Sequence, residues 1–430
     1  MNGRTLFDEV QLLNPGHHMI IDLQKVAVVQ DEPYWFSTLN ESKESFPTAL
    51  ERVKKSFERS VKRHLLSDVP VAATLSSGFD SASVAAQAAQ LIGQGLDTYT
   101  GVFNQSGSWY DETNAAADLT KSINGTHHIV NIQADDFLKH FDDMIYALDE
   151  PRLGMGTFPQ YMVARQAAKN FKVILTGHGG DELFSGYPVF KLARKGGWRS
   201  VSGSEIPHLI YFALSKMKSF LSAEYGRHMP VLWNRSAREK LFGRIDKVKS
   251  WSFLSELQDK YSTPINQVFQ TYLKVYLPNL LLVEDKISMA HAIESRTPMP
   301  DNEMISLSLS ISQDIKLHQG KLKALIKGVA KTLLPKSYHK QPKRGFPIPL
   351  RQWLRGPLSG IVNDRLLSEE TPLHRIMDKD GLRKWVANYQ TSWKRNFRPL
   401  DEIQSHQIWQ LLSLESWMRV WEDRNGVHLK

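Results

Sequence analysis

Two short stretches rich in small and acidic residues have the composition of an anion- and metal-binding site. The first, ATLSSGFDSAS, runs from Ala73 to Ser83, between the apolar stretch VPVAA and the alanine-rich run VAAQAAQLI. Small residues let successive backbone N–H groups converge on an anion, and the N-terminus of a following helix adds positive potential. Such a corner suits pyrophosphate, which Asp80 tolerates if Mg²⁺ intervenes. The alternative is an ordinary helix N-cap at Ser76 or Asp80.

The second stretch repeats this design. VILTGHGGDELFSGY, from Val173 to Tyr187, places three glycines and two carboxylates directly after an apolar run. Packing gives little reason for that combination at the end of a strand. If the two corners share one edge of a sheet, Asp181 can face Asp80 across one bound Mg²⁺. Two acidic corners indicate a metal–nucleotide site more strongly than either one alone.

Alternating strands and helices must position these corners. Apolar strand-like segments alternate with helix-like segments from about residue 70 to residue 190, which predicts an α/β fold with a doubly wound parallel sheet. Ligands in such folds lie beyond the carboxyl ends of the strands. The predicted strands are VPVAATL, LDTYTGVF, THHIVNIQ and FKVILTG, and the predicted helices are SASVAAQAAQLIG, DETNAAADLTKSI, DDFLKHFDDMIYAL and FPQYMVARQAAKN.

The remainder of the chain divides by pattern. We expect residues 1–45 to form an extended N-terminal segment, residues 46–190 the α/β core that carries the two corners, and residues 191–430 a mostly helical C-terminal part. An amphipathic helix over residues 48–66 opens the core. Strand signals fade beyond Tyr187. The closing segment IWQLLSLESWMRVW predicts a helix whose three tryptophans belong to the core.

Composition narrows the class of protein. The chain has 430 residues, a net charge of +9 and no cysteine, which excludes disulfides, thiolate metal ligands and a cysteine nucleophile. No apolar run reaches the ~20 residues of a membrane span, and the N-terminus lacks a signal-peptide core, so we expect a cytoplasmic protein. Because the basic side chains are dispersed, we interpret them as a solubilising surface rather than a nucleic-acid site.

Several motifs together resemble one family. LSSGFDS resembles the pyrophosphate loop S-G-G-x-D-S of ATP pyrophosphatases, and GHGGDELFSGY resembles the second signature of the asparagine synthetase family. LLVEDKISMAHAIESRTPMPD, KLKALIKGVAKTLLPKSYHKQPKRGFPIPLRQWL and the terminal tryptophan helix are similar to later parts of its synthetase domain, in the same order. The start of the chain is similar to the linker that follows the glutaminase domain in such enzymes. The resemblance implies the N-type ATP pyrophosphatase fold and ATP-dependent amide formation through an acyl-adenylate, as in asparagine biosynthesis, with AMP and pyrophosphate as products.

The resemblance also implies roles for individual residues. It assigns ATP and Mg²⁺ as cofactors, with Asp80 and Asp181 as the metal ligands. Lys343 matches a lysine that neutralises charge developing on the α-phosphorus, and Arg344 is a weaker second candidate. The positions that match the pyrophosphate loop or lie near the adenosine are Leu75, Ser76, Ser77, Gly78, Asp80, Ser81, Gly101, Thr176 and Gly177.

Further positions concern the acyl and amine groups. Glu294 matches a family carboxylate near the acyl site, and an ion pair with Arg296 is its alternative role. Asp149 and Glu150 match another signature and are expected to shape the site. His178 stands where glutamine-dependent members carry a glutamate, and a histidine could act as a base near neutral pH. Ser77 replaces the usual second glycine of the loop, which a residue with negative φ permits.

The missing cysteine bears on the nitrogen source. The family's glutaminase domain uses an N-terminal cysteine, so we expect no glutaminase activity from this chain. The nucleophile is then free ammonia, ammonia from a separate glutaminase, or an amine on the substrate itself, as in relatives that form β-lactams or close lasso peptides. The expected partners are a small-molecule or peptide carboxylate, an ammonia or amine donor, and a separate glutaminase or peptide-delivery protein, with no nucleic acid and no membrane.

Three functions therefore stand open. The first is an asparagine synthetase-like ligase that uses ammonia. The second is a cyclase of the lasso-peptide or β-lactam type that uses an internal amine. The third is a tRNA-modifying ligase with the same loop, which the basic charge favours and the downstream motifs disfavour.

Overall fold

The fold is a parallel α/β sandwich with an N-terminal hairpin. A computed structural model describes residues 3–76, 78–103, 113–152, 154, 156–194, 241, 263–340, 348–392 and 398–426. The strands are β1 His17–Asp22, β2 Ala27–Pro33, β3 Val71–Thr74, β4 Thr98–Val102, β5 His127–Asn131, β6 Val173–Leu175 and β7 Glu294–Arg296.

The helices divide into those between the strands and those after them. Up to Ala193 they are α1 Phe46–His64, α2 Phe79–Ile92, α3 Thr113–Ser122, α4 Ala134–Ala147, α5 Thr157–Ala167, α6 Gly180–Leu183 and α7 Pro188–Ala193. From Pro264 they are α8 Pro264–Thr271, α9 Leu277–Met289, α10 Asn302–Ser310, α11 Gln313–Lys316, α12 Ala324–Leu333, α13 Leu350–Arg355, α14 Ser359–Leu366, α15 Lys379–Ser392 and α16 Arg398–Asn425. A π-helical turn, Tyr272–Tyr276, joins α8 to α9, and 3₁₀ turns lie at His318–Gly320, Lys336–Lys340 and Pro372–Arg375.

Strand order fixes where a ligand can bind. The five parallel strands lie in the order β5-β4-β3-β6-β7, so the chain builds outward from β3 in one direction and then in the other. The order reverses between β3 and β6, which is the topological switch point of a doubly wound sheet. Ala73 is in register with Leu175. The segments after these two strands, which are the two corners singled out in the sequence, therefore leave the sheet side by side.

Successive side chains of β3 and β6 pack into two separate hydrophobic cores, one on each face of the sheet. Ala72 and Ile174 join a core on one face, together with α4, α5 and the C-terminal helices. Ala73 and Leu175 join a core on the other face, together with α1, α2 and α12. Successive side chains of a strand point to opposite faces. A sheet buried on both faces needs apolar residues at every position, which is why these strands read as continuous apolar runs.

One short strand comes from the C-terminal part. The C-terminal part is mostly helical, as expected, and it also contributes β7, which extends the sheet at its edge through bonds from Glu294 N to Lys172 O and from Thr176 N to Arg296 O. Its three residues, Glu-Ser-Arg, carry no apolar alternation, so no pattern in the sequence marks them as a strand.

The terminal helix is part of the core, as its tryptophans predicted. Trp409 and Trp417 are buried, and Trp421 packs against the same cluster. None of the helices in the described part of the chain is both long and apolar enough to cross a membrane.

Candidate nucleotide site

A cavity opens where the two corners leave the sheet. Its walls come from the ends of β3, β4 and β6, from the starts of α2 and α6, and from α5, α9 and α12. The lining residues are Thr74, Leu75, Ser76, Gly78, Phe79, Asp80, Ser81, Tyr99, Gly101, Gln160, Val163, Ala164, Ile174, Thr176, Gly177, His178, Gly179, Asp181, Glu182, Gly186, Tyr187, Leu280, Glu284, Leu322, Lys323 and Lys327. One part of the wall is apolar, and the other carries carboxylates and ammonium groups.

Glycines allow the two corners to touch. A Cβ atom on Gly177 would lie 2.3 Å from Ser81 N, and one on Gly180 would lie 2.5 Å from the carboxylate of Asp80. Real Cβ atoms do not approach other atoms so closely, so any side chain here would force the corners apart. The glycines of TGHGGDE thus bring the second corner against the first turn of α2.

Hydrogen bonds shape the first corner. Ser81 Oγ accepts from Ser76 N at 3.1 Å and lies 2.8 Å from Ser76 Oγ, while Gly78 N donates to Ser76 Oγ at 3.2 Å. The Tyr338 hydroxyl donates to Ser76 O. Gly78 caps α2 without a side chain, and Asp80 lies in its first turn. The serines therefore hold the loop open around the helix N-terminus, where an anion is favoured.

A buried lysine joins the two carboxylates. Lys323 Nζ bonds Asp80 Oδ2 and also lies 2.8 Å from Asp181 Oδ1, and its side chain is 7% exposed. Burial opposes the charged form, but the charges of Asp181 and Asp80 outweigh burial and raise the pKa of Lys323 above its ordinary value. Lys323 adopts φ +56° directly before α12, which turns its side chain into the cavity. The centre of the site is therefore one ammonium between two carboxylates.

The imidazole of His178 lies on another part of the cavity wall. His178 Nε2 is 2.9 Å from Gln160 Nε2, and His178 Nδ1 is 3.3 Å from Thr176 Oγ1. Glu284 Oε2 lies 3.5 Å from the same Nδ1. The imidazole is thus held by three side chains from α5, the second corner and α9.

Beyond Asp181 the wall becomes aromatic. Glu182 is buried and accepts a 2.5 Å hydrogen bond from the Tyr187 hydroxyl. Burial raises the pKa of Glu182, and the neighbouring Asp181 raises it further. Burial also raises the pKa of Tyr187 well above its ordinary value. The Tyr187 phenol therefore keeps its proton and is the donor in this hydrogen bond.

Most predicted site residues that the structure describes lie in this one cavity. They are Leu75, Ser76, Gly78, Asp80, Ser81, Gly101, Thr176, Gly177, His178 and Asp181. Ser77, Lys343 and Arg344 lie outside the described residues.

Three predicted residues are placed elsewhere. The Glu294 carboxylate lies at the sheet edge, more than half exposed, and pairs with Arg296 at 2.7 Å, which is the alternative role foreseen for it. Hydrogen bonds from Arg296 lower the pKa of Glu294. Asp149 pairs with Lys286, and Glu150 pairs with Arg152 at 2.8 Å. None of the three lines the cavity, and the acyl-site role of Glu294 stays a prediction.

Sequence reasoning missed Lys323 and Glu284. Lys323 lies in the lysine-rich segment KLKALIK, where the sequence alone does not distinguish a buried lysine from a solvent-exposed one. Glu284 lies in VEDK, next to the exposed Asp285. The available signal for Glu284 was helical periodicity, because Leu277, Leu281 and Glu284 fall on one face of α9.

The sheet order and this cavity define a class: an α/β pyrophosphate-loop synthetase fold with a mostly helical C-terminal part. The family follows from comparison with known proteins. The asparagine synthase family model matches residues 52–419. The chain belongs to that family.

Individual relatives are distant and longer. Over 382 residues the chain is 24% identical to a glutamine-hydrolyzing asparagine synthetase, number 1, of Bacillus subtilis, covering 85% of this chain and 60% of the relative. A putative glutamine-hydrolyzing asparagine synthetase of Mycobacterium tuberculosis is 27% identical over 320 residues, which cover 69% of this chain and 48% of the relative. The amidase chyE of Penicillium rubens is 23% identical over 442 aligned positions, with 90% and 65% covered. The chain thus spans about half to two thirds of the length of these relatives.

Proposed function

We propose that this chain is an ATP-dependent amide-forming ligase. Its cavity activates a carboxylate as an acyl-adenylate, releases pyrophosphate, and transfers the acyl group to ammonia or an amine, which releases AMP. The observation that supports this most is the convergence of Asp80, Asp181 and Lys323 at the switch point of the sheet. Family membership supports ATP as the cosubstrate.

The first corner is suited to the phosphates. Backbone N–H groups at the start of α2 and the hydroxyls of Ser76 and Ser81 face the cavity. Lys323 supplies positive charge next to them, and a fixed cation stabilises negative charge developing on a transferred phosphoryl group. The apolar wall formed by Leu75, Val163 and Ile174 suits a purine ring. Lys343 remains our predicted second cation at the α-phosphorus.

The residues present also fit Mg²⁺. Two carboxylates meet beside a phosphate-sized cavity, and a Cβ atom on Gly180 or Gly186 would lie within 2.5 Å of one of them. Among the described residues, no group of three or more acidic, histidine or cysteine side chains is placed to hold a metal alone. That fits Mg²⁺, which is usually held by one or two carboxylates together with substrate phosphates. Held by Asp80 and Asp181 in exchange for their contacts with the Lys323 ammonium, the ion would neutralise phosphate charge.

His178 is our candidate base for the second half-reaction. It lies on the cavity wall, and its ring is 19% exposed. A histidine can take up a proton from an incoming amine near neutral pH. Aspartate with ammonia is the first combination of acid and amine to test.

Isotope transfer tests the adenylation directly. Candidate acids, including aspartate, are prepared with ¹⁸O in the carboxylate and incubated with the protein, Mg²⁺, ATP and ammonium chloride. Attack of the carboxylate on the α-phosphorus and later cleavage of the acyl–oxygen bond place one ¹⁸O atom in AMP. Formation of ADP, or label in inorganic phosphate, would contradict the proposal. Asp80→Asn should abolish pyrophosphate release.

An enzyme that uses an amine of its own substrate is the second candidate. His178, at the position where glutamine-dependent members carry glutamate, favours it. The two candidates differ in one readout, because an internal amine makes product formation independent of added ammonium.

A further inference from the structure

One carboxylate oxygen in the cavity wall is buried without a hydrogen bond. Glu284 is 7% exposed, and its Oε1 accepts from Ser295 Oγ at 2.7 Å. No hydrogen bond from any described residue reaches its Oε2, which solvent does not reach either. Burying a carboxylate oxygen without a hydrogen-bond partner costs free energy. Folded proteins rarely tolerate that cost unless the group has a function.

The His178 ring lies beside that oxygen. Glu284 Oε2 lies 3.5 Å from His178 Nδ1. On the other side of the ring, the Gln160 amide nitrogen lies 2.9 Å from Nε2. If the Gln160 amide donates a proton to Nε2, then Nε2 is the lone-pair nitrogen and the ring proton is on Nδ1, on the side of Glu284 and Thr176. The bond made by one ring nitrogen sets the tautomer of the other.

We infer that Glu284 is a positioning residue for a proton-accepting His178 that serves a cationic amine substrate. This inference rests on the proposed function. Glu284 keeps the ring proton on Nδ1 and leaves Nε2 as the acceptor that faces the cavity, where the amine takes the place of the Gln160 contact. In this arrangement Glu284 acts through the ring and not on the amine, because its Oε2 is buried and lies beside Nδ1 rather than Nε2.

The chemistry explains why such a pair is needed. Ammonia and alkylamines are mostly ammonium ions at neutral pH, and an ammonium ion has no lone pair for attack. His178 Nε2 takes one proton, and the nitrogen lone pair forms the C–N bond to the acyl carbon. The bond from that carbon to the AMP oxygen breaks, and its electron pair leaves on AMP. The nitrogen loses a second proton to solvent. During the step, the anionic Glu284 faces a positively charged imidazolium.

The tautomer of His178 is the first readout, and it needs no substrate. Glu284→Gln is compared with Asp285→Asn, which removes an exposed carboxylate next to it on α9. In ¹⁵N-histidine-labelled protein at pH 7.5, we expect His178 as the Nδ1–H tautomer in the wild type and Asp285→Asn, with a large Nε2–H fraction in Glu284→Gln. His178→Gln assigns the signal. Glu284→Asp, which keeps the charge, should restore the Nδ1–H form.

Two nucleophiles provide the second readout. Hydroxylamine is unprotonated at neutral pH and needs no base, whereas ammonium does. With an acid that supports ATP–pyrophosphate exchange, Glu284→Gln should lower kcat/KM for ammonium at least thirtyfold and for hydroxylamine less than threefold. Equal losses for both nucleophiles, or an unchanged tautomer in Glu284→Gln, would overturn the inference. If no acid supports exchange, the proposed function fails, while the tautomer measurement still decides the role of Glu284.

Discussion

Lys323 is the residue on which the electrostatics of the site depend. Its ammonium is buried between Asp80 and Asp181, so removing it leaves two carboxylates facing each other at the cavity. Loss of one partner from a buried ionic group typically costs about 3–5 kcal/mol. The same removal takes a cation away from the bound phosphates. Stability and nucleotide binding should therefore change together at this residue.

We predict that Lys323→Met lowers the free energy of unfolding by about 3 kcal/mol in EDTA, as measured by urea denaturation. Millimolar Mg²⁺ should recover part of that loss, because a divalent ion bound by the two carboxylates stabilises the native state. Lys321→Met is the matched control, since Lys321 is exposed two positions away, and it should have little effect. A Lys323→Met protein as stable as the wild type in EDTA would contradict this assignment.

Gly186 shows how closely the carboxylates are packed. A Cβ atom there would lie 1.7 Å from Asp181 Oδ1 and 2.7 Å from the Lys323 side chain. We predict that Gly186→Ala folds but binds Mg²⁺–nucleotide at least tenfold more weakly in calorimetric titration, because Asp181 must move. Gly360→Ala, where the nearest atom lies at 3.6 Å, should bind normally. Wild-type affinity in Gly186→Ala would show that Asp181 has no part in binding.

At the scale of elements, an ionic cluster attaches the terminal helix to the sheet layer. Asp142 on α4 accepts from Arg365 on α14 at 2.7 Å and from Arg419 and Ser416 on α16 at 2.8 and 2.6 Å. Burial alone would raise the pKa of Asp142, but hydrogen bonds from Arg365 and Ser416 outweigh it and hold the pKa at about 2. Three helices distant in sequence thus share one charged group.

The lowered pKa gives a pH-dependent stability. Because the folded value lies below the ordinary carboxyl value of 3.8, the ionised group stabilises the fold above about pH 4, and that contribution is lost as the pH falls toward 2. We predict that Asp142→Asn costs about 2 kcal/mol at pH 7 and progressively less below pH 4, measured by urea unfolding. Asp143→Asn removes an exposed pair with Arg424 and should cost about 0.5 kcal/mol or less. A pH-independent difference for Asp142→Asn would exclude this mechanism.

At the scale of the whole molecule, the N-terminal hairpin differs from the rest. Most of the large hydrophobic side chains that are exposed in the described residues lie between Leu6 and Phe36, and Leu23 and Val26 at the hairpin tip are both 86% exposed. Contiguous exposed apolar surface binds apolar probes. Val26 also has φ +48°, which is unfavourable for a β-branched residue.

We predict that the double variant Leu23→Ser, Val26→Asn lowers the fluorescence of bound anilinonaphthalene sulfonate at least twofold. Circular dichroism should be unchanged, because neither side chain belongs to a core. The control is Leu66→Ser, an equally exposed leucine at 84% that lies away from the hairpin. A double variant that binds the dye as strongly as the wild type would show that the hairpin is not the apolar surface.

The sequence predicted the sheet, its corners and the cavity lining more successfully than the charged partners within the cavity. Long apolar runs and glycine-rich corners carry their own local signal, so β3 and β6 and the segments after them were identified. Lys323, Glu284 and β7 depend on contacts between segments more than a hundred residues apart, as Lys323 with Asp80 shows. No local pattern encodes such a pairing.

Binding of a nucleotide that cannot be cleaved at the α–β bond tests the central claim most directly. We predict that α,β-methylene-ATP with Mg²⁺ binds the wild-type protein with 1:1 stoichiometry in isothermal titration calorimetry. Asp80→Asn and Asp181→Asn should each weaken binding at least tenfold, since both corners hold the same triphosphate. Absence of binding to the wild type, or unchanged affinity in both variants, would contradict a nucleotide site at the switch point of the sheet.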